Sequence, residues 1–210
     1  ARHLVLFGRR SPSEEAEAQI AALRVAGVDV LVAKADVSNA DQLADVFRQV
    51  GASMPPLRGV MHTAGVLDDG MLAEQTMARF APVMAAKVRG ALNLQDLTRD
   101  MPLDFFVMFS SGAALLGSPG QGNYAAANGF LDALAYVREA RGLPGLSINW
   151  GSWAEVGMAA TVDESHHRRW SAMGLAIIKP ADGVQMLRDA LYAGERPQVV
   201  AVPLVRSKLP

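Results

Sequence analysis

Four residues carry the chemical interest of this sequence. Ser111 ends the run Phe105-Phe106-Val107-Met108-Phe109-Ser110-Ser111 and precedes Gly112, which sets a hydroxyl at the close of an apolar segment. Tyr124 stands thirteen residues later in Tyr124-Ala125-Ala126-Ala127-Asn128, so Tyr124 and Asn128 share one face of a helix. Lys87 lies 37 residues before the tyrosine. A phenol with an ordinary pKa of about 10 is a poor acid-base catalyst at neutral pH, and a neighbouring ammonium would favour the phenolate and lower that value. Taken singly, each residue has an ordinary explanation. A serine after a strand caps or turns, a helical tyrosine fills core, and a lysine is a solvated charge.

The elements that must position these residues follow from periodicity. Leu4–Phe7, Val28–Ala33, Gly59–His62, Phe105–Phe109, Leu146–Trp150 and Val199–Val202 read as buried strands. Between them, 13–26, 40–50, 75–99, 120–141 and 180–193 have apolar residues at three- and four-residue spacing and read as helices. Ser13 before Glu14 and Glu15, Asn39 before the second helix and Pro180 at the last are start signals. Alternation of strand and helix predicts an α/β fold, a Rossmann-like doubly wound parallel sheet covered on both faces. In such a sheet Ser111 falls at a strand's C-terminal edge, where open α/β sheets bind ligands. The stretch 151–174, with Gly157 and the cluster His166-His167-Arg168-Arg169, reads as a flap with a short helix. The two histidines are assigned no chemistry.

Composition removes several function classes. The 210 residues suit one large domain; half are hydrophobic and 20% charged, which excludes disorder. With 20 Lys+Arg against 21 Asp+Glu and no basic block, there is no electrostatic footprint for nucleic acid or an anionic membrane. The longest apolar runs fall far below the ~20 residues of a membrane-spanning helix. Absence of cysteine excludes disulfides and thiol chemistry and suits a cytoplasmic location. Asp68-Asp69 could pass as a metal pair, but further ligands are lacking nearby and a turn is the commoner use, so no metal is expected. The first residue is Ala1 and no leader follows, so the chain reads as a segment of a longer polypeptide.

A sheet that binds a dinucleotide normally opens with a strand, a Gly-rich turn and a helix that receives the pyrophosphate. No G-x-G-x-x-G occurs here, so the first strand and that turn are expected to lie outside the chain. The strand Leu4–Phe7 leads at once to Gly8-Arg9-Arg10. That pair is either a solvated turn or a guanidinium site for a ribose 2′-phosphate. Asp36-Val37 after the next strand is either an adenine contact or a plain turn. His62-Thr63-Ala64-Gly65 offers small residues that allow a flat ligand to approach the backbone closely.

Together these segments resemble the ketoreductase domain of modular type I polyketide synthases, a branch of the short-chain dehydrogenase/reductase superfamily. The resemblance runs through Leu4-Val5-Leu6-Phe7-Gly8-Arg9, Ala64-Gly65, Leu67-Asp68-Asp69, Phe109-Ser110-Ser111, Gly120-Gln121-Gly122-Asn123-Tyr124-Ala125-Ala126-Ala127-Asn128 and Trp150-Gly151-Ser152-Trp153, covering essentially the whole chain. The superfamily's usual Tyr-x-x-x-Lys is here Tyr-x-x-x-Asn with Lys87 upstream, an exchange the polyketide ketoreductases share.

The resemblance implies NADPH as hydride donor to the β-carbon of a β-ketoacyl chain on the phosphopantetheine of an acyl carrier protein. It implies that Tyr124 protonates the ketone oxygen, Ser111 hydrogen-bonds it, Lys87 lowers the phenol's pKa and Asn128 holds the proton supply. Arg9, Asp36, Val37, Ala64, Gly65, Asn149, Trp150 and Gly151 would line the cofactor, with Asn149 to Met158 forming a lip and lid. Leu67, Asp68, Asp69, Gln121, Leu116, Ala126, Trp153 and Met158 would govern substrate and stereochemistry. Leu67-Asp68-Asp69, with Leu116 where A-type enzymes carry tryptophan, resembles the B-type that gives a D-hydroxyl. Ala126 in place of proline implies no selection of an epimerised α-substituent. An upstream structural subdomain and other synthase domains are implied partners. The alternatives are a non-catalytic structural element or a free-standing short-chain alcohol dehydrogenase.

Overall fold

The computed structural model describes residues 1–154, 170–171, 174–192, 194 and 196–205. Its strands are β1 (His3–Gly8), β2 (Asp29–Lys34), β3 (Gly59–His62), β4 (Phe105–Ser111), β5 (Leu146–Trp150) and β6 (Gln198–Ala201). Its α-helices are α1 (Glu14–Val25), α2 (Ala40–Ser53), α3 (Met77–Met84), α4 (Gly90–Leu97), α5 (Ala113–Leu116), α6 (Gly122–Glu139) and α7 (Pro180–Tyr192). All six expected strands are present, β3 and β5 with the expected bounds and the other four displaced at their ends by a residue or two. The chain divides into two compact units.

The first unit comprises residues 1–59 and 89–104. β1 and β2 pair in parallel, His3 opposite Asp29 and Gly8 opposite Lys34. Ser13 caps α1, its hydroxyl accepting from the Ala16 N–H at 3.3 Å. Asn39 caps α2 in the same way, accepting from the Gln42 N–H at 3.0 Å. Leu43, Val46 and Val50 form a buried stripe on α2 at three- and four-residue spacing. Val46 and Val50 close with Ala35 over Val5, Phe7, Leu31 and Ala33 of the paired strands. This is an apolar core of the ordinary kind.

The second unit comprises residues 60–88 and the described residues from 105 onward. Its sheet runs β3-β4-β5-β6. β4 and β5 are parallel, with Ser111 opposite Trp150, and β5 and β6 are parallel, with Ser147 opposite Gln198. Val107, Ile148, Trp150, Ile178 and Ala201 form one core cluster. Val83, Ala113, Tyr124 and Ala127 form another beneath α6.

The single helix expected over 75–99 is instead interrupted. A 3₁₀ turn at Leu72–Glu74 precedes α3, and a π-helical turn at Ala85–Arg89 separates α3 from α4. Apolar periodicity hardly registers one inserted residue, whereas the hydrogen-bond ladder must. The short helix α5 is also additional. Most of the expected flap, Met158 included, lies outside the described residues. No helix among the described residues is long and apolar enough to cross a membrane.

Candidate active site

The second unit gathers the four residues singled out for chemistry. Tyr124 and Asn128 occupy one buried face of α6, Ser111 ends β4, and Lys87 lies in the π turn. Lys87 is only 2% exposed, and its Nζ donates to the Phe109 carbonyl at 2.8 Å. The same Nζ is 5.3 Å from the centroid of the Tyr124 ring, within cation–π range. Asn128 donates from Nδ2 to the Tyr124 carbonyl at 2.8 Å, while its buried Oδ1 has no protein partner. The Ser111 hydroxyl accepts from the Ala113 N–H at 3.2 Å, which starts α5.

Burial dominates the electrostatics. It raises the Tyr124 pKa above its ordinary value, the Asn128 and Ser111 side chains oppose that rise, and the charge of Asp69 adds to it. The expected lowering of the phenol pKa by Lys87 is therefore not what this geometry produces. The ammonium bonds the Phe109 carbonyl and lies 5.3 Å from the ring centroid. Lys87 is itself pushed down to about 8 by burial, which the charge of Asp132 resists. His62, also buried, is pushed down to about 4 by burial and by Lys87. It is thus neutral near pH 7, and its Nε2 donates to the Lys87 carbonyl at 3.1 Å.

The loop carrying Leu67, Asp68 and Asp69 is tied down from several elements. Leu67 packs on the Tyr124 cluster. Arg79 Nη1 donates to the Asp68 carboxylate at 3.0 Å and to the Asp69 carbonyl at 2.6 Å. Gln121 Nε2 donates to Asp69 Oδ2 at 2.9 Å, and Asn123 Nδ2 to the Asp68 carbonyl at 2.8 Å. Leu116 and Ala126 are exposed. Arg79 and Asn123 have no sequence signal as tethers, because only their folded position gives them that part.

The expected cofactor residues fare unevenly. The Asn149 side chain does not line a cofactor surface: the residue is fully buried and its amide is consumed internally. Nδ2 donates to Ser110 Oγ at 3.0 Å, the Ser111 carbonyl at 3.2 Å and Asp132 Oδ2 at 2.9 Å. Its Oδ1 accepts from Gln198 Nε2 at 2.8 Å. Trp150 is likewise a core residue, its ring centroid 5.2 Å from that of Phe109 and 5.0 Å from that of Trp153. Both corrections have one cause, since their side chains are turned into the unit's interior. Gly151 is buried, its N–H donating to the Ala201 carbonyl at 3.0 Å. Ala64 and Gly65 are half-buried in the loop after β3.

In the first unit Arg9 is exposed, and its charge helps hold the Asp36 carboxyl below its usual range. The larger causes there are the hydrogen bonds from Ser38, whose N–H and hydroxyl reach Asp36 Oδ1 at 2.9 and 2.7 Å. Asp36 thus closes a turn. Val37 is buried, its carbonyl accepting from Asn93 Nδ2 at 3.0 Å. No group of three or more acidic or histidine residues suited to a metal occurs among the described residues.

The family model described as KR domain matches residues 1–155. The chain belongs to the KR domain family. The "putative inactive phenolphthiocerol synthesis polyketide synthase type I Pks1" of Mycobacterium tuberculosis is 45% identical over 210 residues. That alignment takes in 99% of the chain and 13% of the synthase. The first ketoreductase of the tylosin polyketide synthase is 40% identical with a TM-score of 0.82, covering 97% of the chain and 44% of that structure. An A-type ketoreductase from a modular polyketide synthase is 38% identical with a TM-score of 0.87, covering 97% of the chain and 42% of that structure. The ketoreductase domain thus has the Rossmann-like fold of short-chain dehydrogenases, a superfamily whose ketoreductases are oxidoreductases using NAD(P)H. It spans under half the length of each of these matches.

Proposed function

We propose that this ketoreductase reduces a β-ketoacyl chain, held as a thioester on the phosphopantetheine of an acyl carrier protein, at the expense of NADPH. The product is the D-β-hydroxyacyl chain of a polyketide synthase module. One observation carries the reading: the Tyr124 phenol has Asn128 and Ser111 acting on its hydroxyl and the buried Lys87 ammonium 5.3 Å from its ring centroid.

When bound, the reduced nicotinamide supplies the hydride that forms the new C–H bond at the β-carbon. Tyr124 gives its proton to the ketone oxygen, which takes up the electron pair of the broken C=O π bond. A phenol whose pKa burial has raised is fully protonated at neutral pH, so the donor is loaded. Ser111 donates a second hydrogen bond to the same oxygen, and preplaced donors are most effective where charge develops. Lys87 offsets the charge left on the phenolate, and Asn128 holds the path by which the proton returns.

Each unit, taken by itself, holds residues whose chemistry suits part of the cofactor. Arg9 is an exposed guanidinium at the C-terminal end of β1, the chemistry a 2′-phosphate requires. Ala64 and Gly65 after β3 leave room for a flat ring. The D-product is supported by Leu67-Asp68-Asp69, held by Arg79, Gln121 and Asn123, and by Leu116 where A-type enzymes have tryptophan.

The test uses the full-length polypeptide carrying this chain, supplied with NADPH and a β-ketoacyl thioester. NADPH consumption yielding the D-hydroxyl, abolished by Tyr124→Phe, is the expected result. Turnover to the L-hydroxyl would overturn the stereochemical part alone. NADPH binding without turnover would favour the non-catalytic alternative, to which the inactive description of one relative lends weight.

A further inference from the structure

Asp132, like His62 and Arg138, is a buried titratable group that the mechanism does not use. Asp132 lies on α6, one turn beyond Asn128 and two beyond Tyr124, and is 7% exposed. Its Oδ1 accepts from the Ser147 hydroxyl on β5 at 2.6 Å, and its Oδ2 from Asn149 Nδ2 at 2.9 Å. Asn149 extends the connection to Ser110 Oγ and the Ser111 carbonyl on β4, and Gln198 on β6 closes it from the far side. Ser110 Oγ in turn donates to the Asn128 carbonyl at 3.3 Å. One carboxylate is thus linked to the backbone on which Ser111 and Asn128 are mounted.

Asp132 forms no salt bridge among those found between described residues. The cation that feels its charge is Lys87, whose ammonium Asp132 favours against burial. The other groups facing Lys87 do not supply a counter-charge. His62 on β3 is neutral, Tyr124 on α6 is a protonated phenol, and β4 offers only the Phe109 carbonyl. Asp69 acts on Tyr124. A buried ammonium needs an opposite charge or strong acceptors, and Asp132 is the carboxylate acting on it.

We infer that Asp132 is a positioning residue of the reductase, the buried carboxylate that fixes Ser111 and Asn128 through Asn149 and Ser110 and balances the charge of Lys87. This rests on the reductase reading above and extends the site past the four residues assigned to it. If Lys87 must be an ammonium for turnover, removing the negative charge lets it lose its proton at lower pH.

The experiment compares kcat against pH for the unsubstituted full-length protein, Asp132→Asn and Ser147→Ala. Asp132→Asn should lower kcat at least tenfold at pH 8, with KM little changed, and move the alkaline limb to lower pH. Ser147→Ala removes a hydrogen bond and no charge, so its alkaline limb should stay in place. Asp132→Glu, which keeps the charge, should restore the limb. Equal shifts for Asp132→Asn and Ser147→Ala, or none for either, would overturn the inference. Carbon-13 aspartate NMR on the unsubstituted protein gives an answer should Asp132→Asn fail to fold. The Asp132 carboxylate signal must shift when Lys87 deprotonates, and a flat signal across that step sinks the idea. Absence of turnover in the unsubstituted protein would instead count against the reductase reading, and the NMR result would still decide the Asp132–Lys87 coupling.

Discussion

The two units handle polar groups in opposite ways. In the first, Arg48–Asp45, Arg58–Asp104 and Arg99–Asp96 pair on the surface, and the interior is closed by Leu43, Val46, Val50 and Ala35. In the second, His62, Lys87, Ser110, Asn123, Asn128, Asp132, Ser147 and Asn149 are all buried. Burying so many polar groups is unfavourable unless they satisfy one another, and here nearly every one has a partner. The exceptions are informative. Asn128 Oδ1 is buried without a protein partner, and in the proposed mechanism Asn128 is the residue that holds the path of proton return. The difference teaches that the first unit closes on apolar side chains and the second on polar groups that hydrogen-bond one another.

Substitutions can break that contrast or sharpen it. The largest effect belongs to Tyr124→Phe, which should reduce NADPH turnover about a thousandfold while leaving the melting temperature nearly unchanged. Lys87→Met should reduce kcat about a hundredfold and also lower the melting temperature, because it leaves the buried Asp132 without the charge that balances it. An unchanged melting temperature would show that the two charges are not coupled. Leu43→Ala, at a fully buried position of α2, should destabilise by about 2–5 kcal/mol with kcat unaltered at a temperature where the protein stays folded.

A smaller effect is pH-dependent. His62 has a folded-state pKa of about 4 against an ordinary 6.5, so the unfolded chain binds more protons between these values. Stability contributed by neutral His62 is complete above pH 6.5 and is lost as pH falls toward 4, up to about 3 kcal/mol. Urea midpoints measured across that range should fall for the unmodified protein and flatten for His62→Gln. The smallest effect is Arg58→Met at an exposed surface pair, which should change neither turnover nor melting temperature measurably.

Much of this was legible in residue order. Strand and helix periodicity located every strand, Ser13 and Asn39 announced their helices, and spacing brought Tyr124 and Asn128 to one face. The failures share a cause. The resemblance implies that Asn149 lines the cofactor, but a motif does not say where its side chain packs, and here it points into the network. The direction of the Tyr124 pKa depends on how deeply the phenol is buried, which no spacing reveals. Asp132 sits in Phe130-Leu131-Asp132-Ala133-Leu134, where a helix's polar position is ordinarily solvated. Only tertiary packing turns it inward.

The tryptophans Trp153 and Trp170 flank residues 155–169, and each lies against a glycine. A Cβ at Gly183 would run into the Trp153 ring, and one at Gly112 would come within 2.9 Å of the Trp170 ring. Gly112 directly follows Ser111. The strand end that presents the serine hydroxyl is therefore also the seat of an indole arriving from far along the chain. Adding a single methyl group at Gly112 would press on both at once, so a change that touches no reacting atom would disturb the alignment of Ser111 and the anchorage of Trp170 together.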